Sequence, residues 1–571
     1  MMEGYYIKKI GQHRGAPRVW LEGTQVERAG LAVGQKFDIV VQGQMVVLQA
    51  NPDGSRVVSG KVMGERNNPI IDVNSKALLA LFDGMAAIRV VAKKGEIYLL
   101  PLASELKKRE RFQRLREKLE KGDPLAIGSV SHGGGVLSHA VHTGLAEAGI
   151  ESKLAFANEI RGELLEHAAI HNDAWSDSTQ VLASPMQEIA FDDRGVASIP
   201  KVEILEMGLP CSGASKAGKS KRGLDHPEAH PEVGHLVVSA LIIASKTNPA
   251  IVLLENVPEY SQSASAHILR NQLRDMGYVT HERILNGKEW GSLENRNRWC
   301  MVAVTQGIEF DFDQLRPPSE YQKLVADVID HSISPDDPRW RTFEYLKEKE
   351  VRDAEKGSSF SMQIVALTDD SVPTLRKGYA KGGSTDALLR HPEDPELLRQ
   401  FTPQEHARIK GVPETLIAGL SNTIAHGLLG QGIVYRPFKD VGTHVGNTLN
   451  QFAGKEPVPN DVNTNRAPKP LPLFSGVAAA QLELTASPEV DGIQPQQQQF
   501  DMLDVVNQGA YSGMVLSVAD GIATQKVNRA GETVRHEIVR LSQEVKPGEV
   551  VDIQYKNGVG QVAAKSRGLE R

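Results

Sequence analysis

The sequence predicts an α/β protein: a mostly parallel, doubly wound sheet with small β-rich units before and after it. Three observations carry that expectation. Residues 124–453 alternate short apolar strand runs with helical patterns. Several of these runs end in chemically active side chains, above all Val202 to Gly208, which leads into Leu209-Pro210-Cys211. The flanks, residues 1–104 and 510–565, consist of short apolar runs separated by glycine turns.

Composition limits the choices. A chain of 571 residues is too long for one ordinary domain. An apolar content of 40% and a charged content of 24% are those of a globular protein with ample core. The formal net charge is -6, so any nucleic-acid surface has to be local. Two cysteines exclude a disulfide framework and suit a reducing compartment. No apolar run approaches the roughly 20 residues of a membrane span. The opening Met-Met-Glu-Gly-Tyr-Tyr lacks the regions of a signal peptide. A cytoplasmic location without membrane attachment is expected.

The first 104 residues read as a weak duplication. Strand, short helix, Gly turn and hairpin occur once in residues 1–57 and again in residues 58–104. That order resembles the swapped-hairpin fold of AbrB-type transcription regulators, which implies DNA contact or a homodimer formed through this module. A purely structural β module is the alternative. Residues 105–123 form a charge-dense, Pro-free segment with Phe112, Leu115 and Leu119 at helical spacing, expected to be an exposed linker helix. Residues 454–500 have linker composition, with seven prolines and the run Gln496 to Gln499. Residues 501–571 turn β-rich again, with Asn557-Gly558 as a hairpin signal. This tail resembles the small β module of plasmid-borne Kfr-type proteins.

One pattern invites a different reading. Gly213 to Ser220 satisfies G-x-x-x-x-G-K-[ST], the phosphate-binding loop. Its physics needs a helix that begins at the Lys-Ser, so that N–H groups face the phosphates. Gly223, Pro227 and Pro231 follow instead and argue against that helix. An ATPase is therefore the weaker alternative.

Four pieces, in order, carry the chemistry. The strand Ile127 to Ser131 runs into His132-Gly133-Gly134-Gly135, a turn where a ligand can approach the backbone. The next strand, Lys153 to Asn158, is tipped by Glu159, where a doubly wound fold grips ribose hydroxyls; a helix N-terminal acid is the plainer reading. The second piece is Pro210-Cys211. The third is the strand Ala250 to Leu254, which delivers Glu255-Asn256-Val257-Pro258. The fourth is Glu294-Asn295-Arg296-Asn297-Arg298, before the strand Trp299 to Val304. A thiol, a carboxylate and two guanidiniums at the ends of separate strands would converge at one edge of a parallel sheet.

In this order the pieces resemble the DNA (cytosine-5)-methyltransferases over roughly residues 125–450. Pro373-Thr374-Leu375 and the block Phe401 to Pro413 fit the same family. The resemblance implies a Rossmann-like methyltransferase core that uses S-adenosylmethionine on double-stranded DNA, as in restriction-modification. It implies Cys211 as nucleophile at cytosine C6, Glu255 at N3 and the exocyclic amine, and Arg298 with Arg296 supporting the base oxygen. Gly133, Gly135, Glu159 and Pro210 would contact the cofactor. Lys216, Lys219, Lys221 and Arg222 would hold DNA and favour the thiolate. Residues 306–372, with Trp340, Arg341, Tyr345 and Lys347, would recognise the target.

The sequence also departs from the family. Ser129-Val130-Ser131-His132-Gly133 replaces the usual first motif, without its aromatic residue. Glu294 replaces the usual Gln, and Ser-Gly follows Pro-Cys. The last motif fits both Gly430-Gln431-Gly432 and Gly446-Asn447. A DNA-binding regulator or plasmid-maintenance protein on a methyltransferase-like scaffold is the alternative from another class. Cys300, inside an apolar strand, reads as a core thiol. His226, His230 and His235 read as solvated loop residues, and no metal is expected.

Overall fold

The computed structural model describes residues 2–211, 213–215, 225–318, 323–357, 360–456, 505–506, 510–519, 522–526, 533–538, 541–556 and 559–564. They fall into two compact units, Met1–Asn465 and Arg466–Arg571.

The larger unit is built on a seven-stranded sheet. Its spatial order is Gln180–Leu182, Ser152–Asn158, Leu125–Val130, Ile204–Met207, Ile251–Asn256, Asn297–Thr305 and Tyr278–Asn286. The first five strands are parallel. Asn297–Thr305 lies antiparallel to both of its neighbours. The strands are aliphatic on both faces because helices cover both, as parallel sheets require. Val136–Glu147 packs on one face over Ile127, Ile204 and Leu253; Leu236–Thr247 and Ala264–Asp275 cover Leu205, Met207 and Val252 on the other. Helix Val136–Glu147 also meets helix Tyr435–Phe452 at backbone contact distance. A Cβ on Gly144 would lie 2.0 Å from the Lys439 carbonyl oxygen, and one on Gly446 2.5 Å from the Ala148 Cβ.

The duplication at the N-terminus does not give two consecutive modules. Strand Met2–Lys9 pairs with Ala87–Lys93, Ala16–Glu22 with Arg66–Val73, and Met45–Ala50 with Glu96–Pro101. Val19, Leu21, Leu48, Ile71, Val90 and Leu99 share one core, so the boundary at 57/58 runs through a single body. Each half alone is too small to bury its own apolar face.

The segment expected as an exposed linker helix also differs. Helix Ala103–Lys121 lies against the edge of the sheet opposite the site, and Arg111 is fully buried. Arg111 donates to Thr305 Oγ1 at 2.8 Å and to the carbonyls of Met276 and Gly277 at 2.9 and 3.0 Å, and stacks on the Tyr278 ring. Arg114 and Lys118 both pair with buried Glu203. The charges that suggested a solvated face satisfy the polar backbone groups at the strand starts.

In the smaller unit, Val550–Lys556 and Val559–Ala564 pair antiparallel on either side of Asn557-Gly558, as expected; the turn itself lies outside the described residues. No described helix is long and apolar enough to cross a membrane.

Candidate active site

The parallel strands deliver their C-terminal ends to one edge, and the site forms there. Strand Ile204–Met207 stops at Gly208-Leu209-Pro210, and Cys211 follows half-buried. Two amides, Ala214 and Ser215, donate to the Cys211 carbonyl at 2.9 Å each, closing a turn behind the thiol. The adjacent strand Ile251–Asn256 ends in Glu255 and Asn256. Asn256 Nδ2 donates to the Leu209 carbonyl at 3.1 Å, a buried bond that ties the acid's strand to the thiol's turn.

The arginines reach the same edge for a topological reason. In a parallel strand, residues at the start would lie at the far edge from Cys211 and Glu255. Asn297–Thr305 runs the other way, with Cys300 opposite Glu255 and Trp299 opposite Asn256. Its beginning therefore meets the end of the acid's strand. Arg298, two residues before Cys300, shares a face with it, and Arg298 Nε contacts Glu255 Oε1 at 2.7 Å.

Arg296 is buried beside this pair. Its Nη2 donates to the Gly430 carbonyl at 2.9 Å, while its Nε has no partner. The two candidates for the last motif have different surroundings. Gly430 receives Arg296, whereas Gly446 packs in the helix contact described above. Glu294 is also fully buried. It accepts from the Leu375 amide and from Lys410 Nζ, both at 2.9 Å. Burial would raise the Glu294 pKa, but Lys410 and Arg296 hold it below its ordinary value. Burial and Arg296 lower the Lys410 pKa, and the Glu294 carboxylate opposes them.

Burial pushes the Cys211 thiol above its ordinary pKa. Arg298 opposes that, Glu255 adds to it, and Arg296 opposes it. The cations acting on the sulfur among the described residues are thus these two arginines. Lys216, Lys219, Lys221 and Arg222, expected to favour the thiolate and to hold DNA, lie outside the described residues, as do the Lys and Ser of the phosphate-loop pattern.

The glycine turn follows strand Leu125–Val130. Gly133 and Gly135 have φ of 58° and 76°, and Ser131 is held at 56°, a left-handed conformation uncommon for serine. A Cβ at Gly133 would meet open space; one at Gly135 would strike Asn172 and His132. Glu159 Oε2 accepts from the Gly133 amide at 2.9 Å, so the acid closes this turn. Pro210 is half-buried in the neighbouring loop.

Beneath the turn lies a polar cluster that the sequence did not reveal. Glu206 is fully buried in the strand that leads to Cys211, opposite Ser129. Burial raises its pKa to about 7. The Ser129 and Ser138 hydroxyls partly offset this, although neither carboxyl oxygen has a well-formed hydrogen bond. His132 Nδ1 lies 2.8 Å from Ser129 Oγ, and the Trp175 indole donates to His132 Nε2. Charged residues inside apolar strand patterns, Glu206 among them, were the only available signal.

Other expected residues fall as follows. Cys300 is buried in the core, as expected. His230 is buried rather than solvated, because it accepts the Glu232 amide inside the loop. Trp340 packs between Arg399 and His391, and Lys347 pairs with Glu344 and Glu396. That leaves Arg341 and Tyr345 as the exposed members of that group. No cluster of His, Cys, Asp or Glu among the described residues could hold a metal ion.

Strand order and site define the class as a Rossmann-like α/β methyltransferase core with a thiol at its C-terminal edge. The model of the family "C-5 cytosine-specific DNA methylase" matches residues 140–446, more than half of the chain, and the chain belongs to that family. A second family model, the KfrB domain, matches residues 510–564. Among curated proteins, the chain is 25% identical over 244 residues to Type II methyltransferase M1.ScrFI of Lactococcus lactis subsp. cremoris, covering 41% of this chain and 60% of that one. It is 26% identical over 271 residues to M.MspI of Moraxella sp, covering 45% and 60%. It is 27% identical over 248 residues to M.NlaX of Neisseria lactamica, covering 42% and 74%. The match thus spans about 60% of the length of the first two relatives. A solved structure of S. pombe Dnmt2 methyltransferase aligns at 18% identity and a TM-score of 0.45, covering 58% of this chain and 99% of that one.

Proposed function

We propose that this protein is a DNA methyltransferase that adds a methyl group to C5 of cytosine in double-stranded DNA, with Cys211 as nucleophile. The meeting of Cys211, Glu255 and Arg298 at one sheet edge carries this reading. A base inside a duplex cannot reach such a pocket, so the target cytosine must be flipped out. The Cys211 thiolate bonds to C6, and the displaced electron pair is delocalised toward N3 and C5. Glu255 hydrogen-bonds at N3 and the exocyclic amine, which selects cytosine. Arg298, held by Glu255, and Arg296 stabilise charge on the base oxygen. C5, carrying that electron pair, takes the methyl group; its proton then passes to solvent, and the C5–H electron pair re-forms the C5–C6 double bond and expels Cys211 as thiolate.

S-adenosylmethionine, when bound, supplies the methyl group. The open left-handed turn at Gly133 fits such a ligand. Gly133, Gly135, Glu159 and Pro210 would hold it. Lys216, Lys219, Lys221 and Arg222 would grip the DNA backbone, and residues 306–372 would read the target. The N-terminal body, whose sequence pattern resembles the AbrB-type regulators, would add a DNA contact or join two copies, and the protein would work in the cytoplasm.

Bisulfite sequencing of DNA from cells that express the chain tests this. New 5-methylcytosine in a fixed context is expected, and Cys211→Ala should remove it. No new 5-methylcytosine in any context would overturn the proposal.

A further inference from the structure

We propose that Lys410 is a positioning residue for Cys211: by pairing with Glu294 it keeps that carboxylate off Arg296 and leaves Arg296 as the surplus cation facing the thiol. This inference rests on the reading of Cys211 as the nucleophile.

The geometry is specific. Five charged side chains share the floor of the site: Glu255, Glu294, Arg296, Arg298 and Lys410. Two pairs are closed, Glu255 with Arg298 at 2.7 Å and Glu294 with Lys410 at 2.9 Å. Glu294 and Lys410 are both fully buried. Each Glu294 oxygen is taken, one by the Leu375 amide and the other by Lys410. Lys410 is the last residue of helix Pro403–Lys410, and its Nζ also donates to the Gly432 carbonyl at 3.3 Å.

Arg296 is left over. Its nearest approach to Glu294 is 3.6 Å, too long for a good hydrogen bond. Of its five donors, one bonds the Gly430 carbonyl, and Nε has no partner. Counted as ions, three cations face two carboxylates, and Arg296 is the cation without a close ion pair. Its field lowers the Cys211 pKa.

Without the Lys410 ammonium, Glu294 becomes a buried carboxylate lacking its main counter-charge, a costly state. Arg296 is the nearest remaining cation and would close on it. The surplus charge beside the sulfur would then be neutralised. The groups that face Cys211 are Glu255, Arg296 and Arg298; those that face Lys410 are Glu294, Arg296, Arg298 and, from its own helix, His406.

The test reads the thiol and needs neither DNA nor cofactor. Alkylation of the full chain by iodoacetamide is followed against pH, with the Cys211 and Cys300 peptides resolved by mass. In Lys410→Gln the pH midpoint for Cys211 should rise by about one unit, the scale of one charge about 10 Å away at an effective dielectric near 20. In Glu294→Gln/Lys410→Gln, which removes both charges, the midpoint should return close to that of the natural protein. Lys410→Met, which fills the same volume, is the second variant where Lys410→Gln does not fold, with the same expected rise. A midpoint unchanged in the single variants, even with a lower unfolding temperature, would mean a merely structural pair and overturn the proposal. So would a double variant that stays as shifted as the single ones. Absence of methylation in cells would count against the enzyme and leave this titration interpretable. Methylation with superimposable titrations would count against Lys410 alone.

Discussion

Glu255 and Arg298 form a 2.7 Å ion pair across two antiparallel strands, each side chain almost nine-tenths buried. Neither charge is free: the acid that would select cytosine is oriented by the cation that would support the base oxygen.

Arg298→Ala should therefore damage the site twice, by removing a donor to the base and by leaving Glu255 without its partner. Loss of one preorganised donor costs roughly 100- to 1000-fold in turnover. Methyl transfer to a duplex substrate at saturating DNA would show it. Arg298→Lys should recover little, because an ammonium lacks the planar fork of donors.

Glu206 gives the fold a pH dependence. Its folded pKa, about 7, lies above the ordinary value of 4.5. A raised carboxyl favours the folded state fully below the unfolded pKa, and that advantage is lost as pH rises through the folded value. Glu206→Gln keeps the shape and cannot ionise. It should be more stable than the natural protein at pH 8 by on the order of 3 kcal/mol, with little difference at pH 4. Urea unfolding of both proteins at the two pH values would measure this.

Gly144 lets two helices touch. A Cβ there would lie 2.0 Å from the Lys439 carbonyl oxygen and 2.6 Å from the Thr443 amide nitrogen, both backbone atoms that cannot swing aside. Gly144→Ala should cost about 1–3 kcal/mol through overpacking, seen as a lower denaturation midpoint, even though alanine is the better helix former.

Arg111→Leu should loosen helix Ala103–Lys121 from the sheet. The Met276 carbonyl would lose its donor, at about 1–3 kcal/mol for a group left unpaired, while the Gly277 carbonyl keeps the Gln306 amide. Faster amide exchange in residues 103–121 would be the local signature.

Much of the site was legible because chemistry at strand ends leaves compact motifs. Pro210-Cys211, Glu255-Asn256 and Arg296-x-Arg298 each sit next to an apolar run, and local pattern suffices to place them at strand termini. The glycine turn was legible for the same reason, since Gly133 and Gly135 do adopt the left-handed conformation that favours glycine. Buried charge was not legible. Arg111, Glu206, Glu294 and Lys410 resemble surface residues in sequence, because what makes them internal is a partner distant in the chain: Lys410 and Glu294 are separated by 116 positions.

The sequence by itself determined the strands, the order of the motifs and the identity of the reactive groups, since these depend on side-chain periodicity and type within short windows. Only the tertiary structure decided how the groups meet. Arg298 stands beside Glu255 because strand Asn297–Thr305 enters the sheet antiparallel, between two strands that run the other way. Strand direction is set by long-range pairing and by the burial of both sheet faces, and a strand's residues read much the same in either orientation.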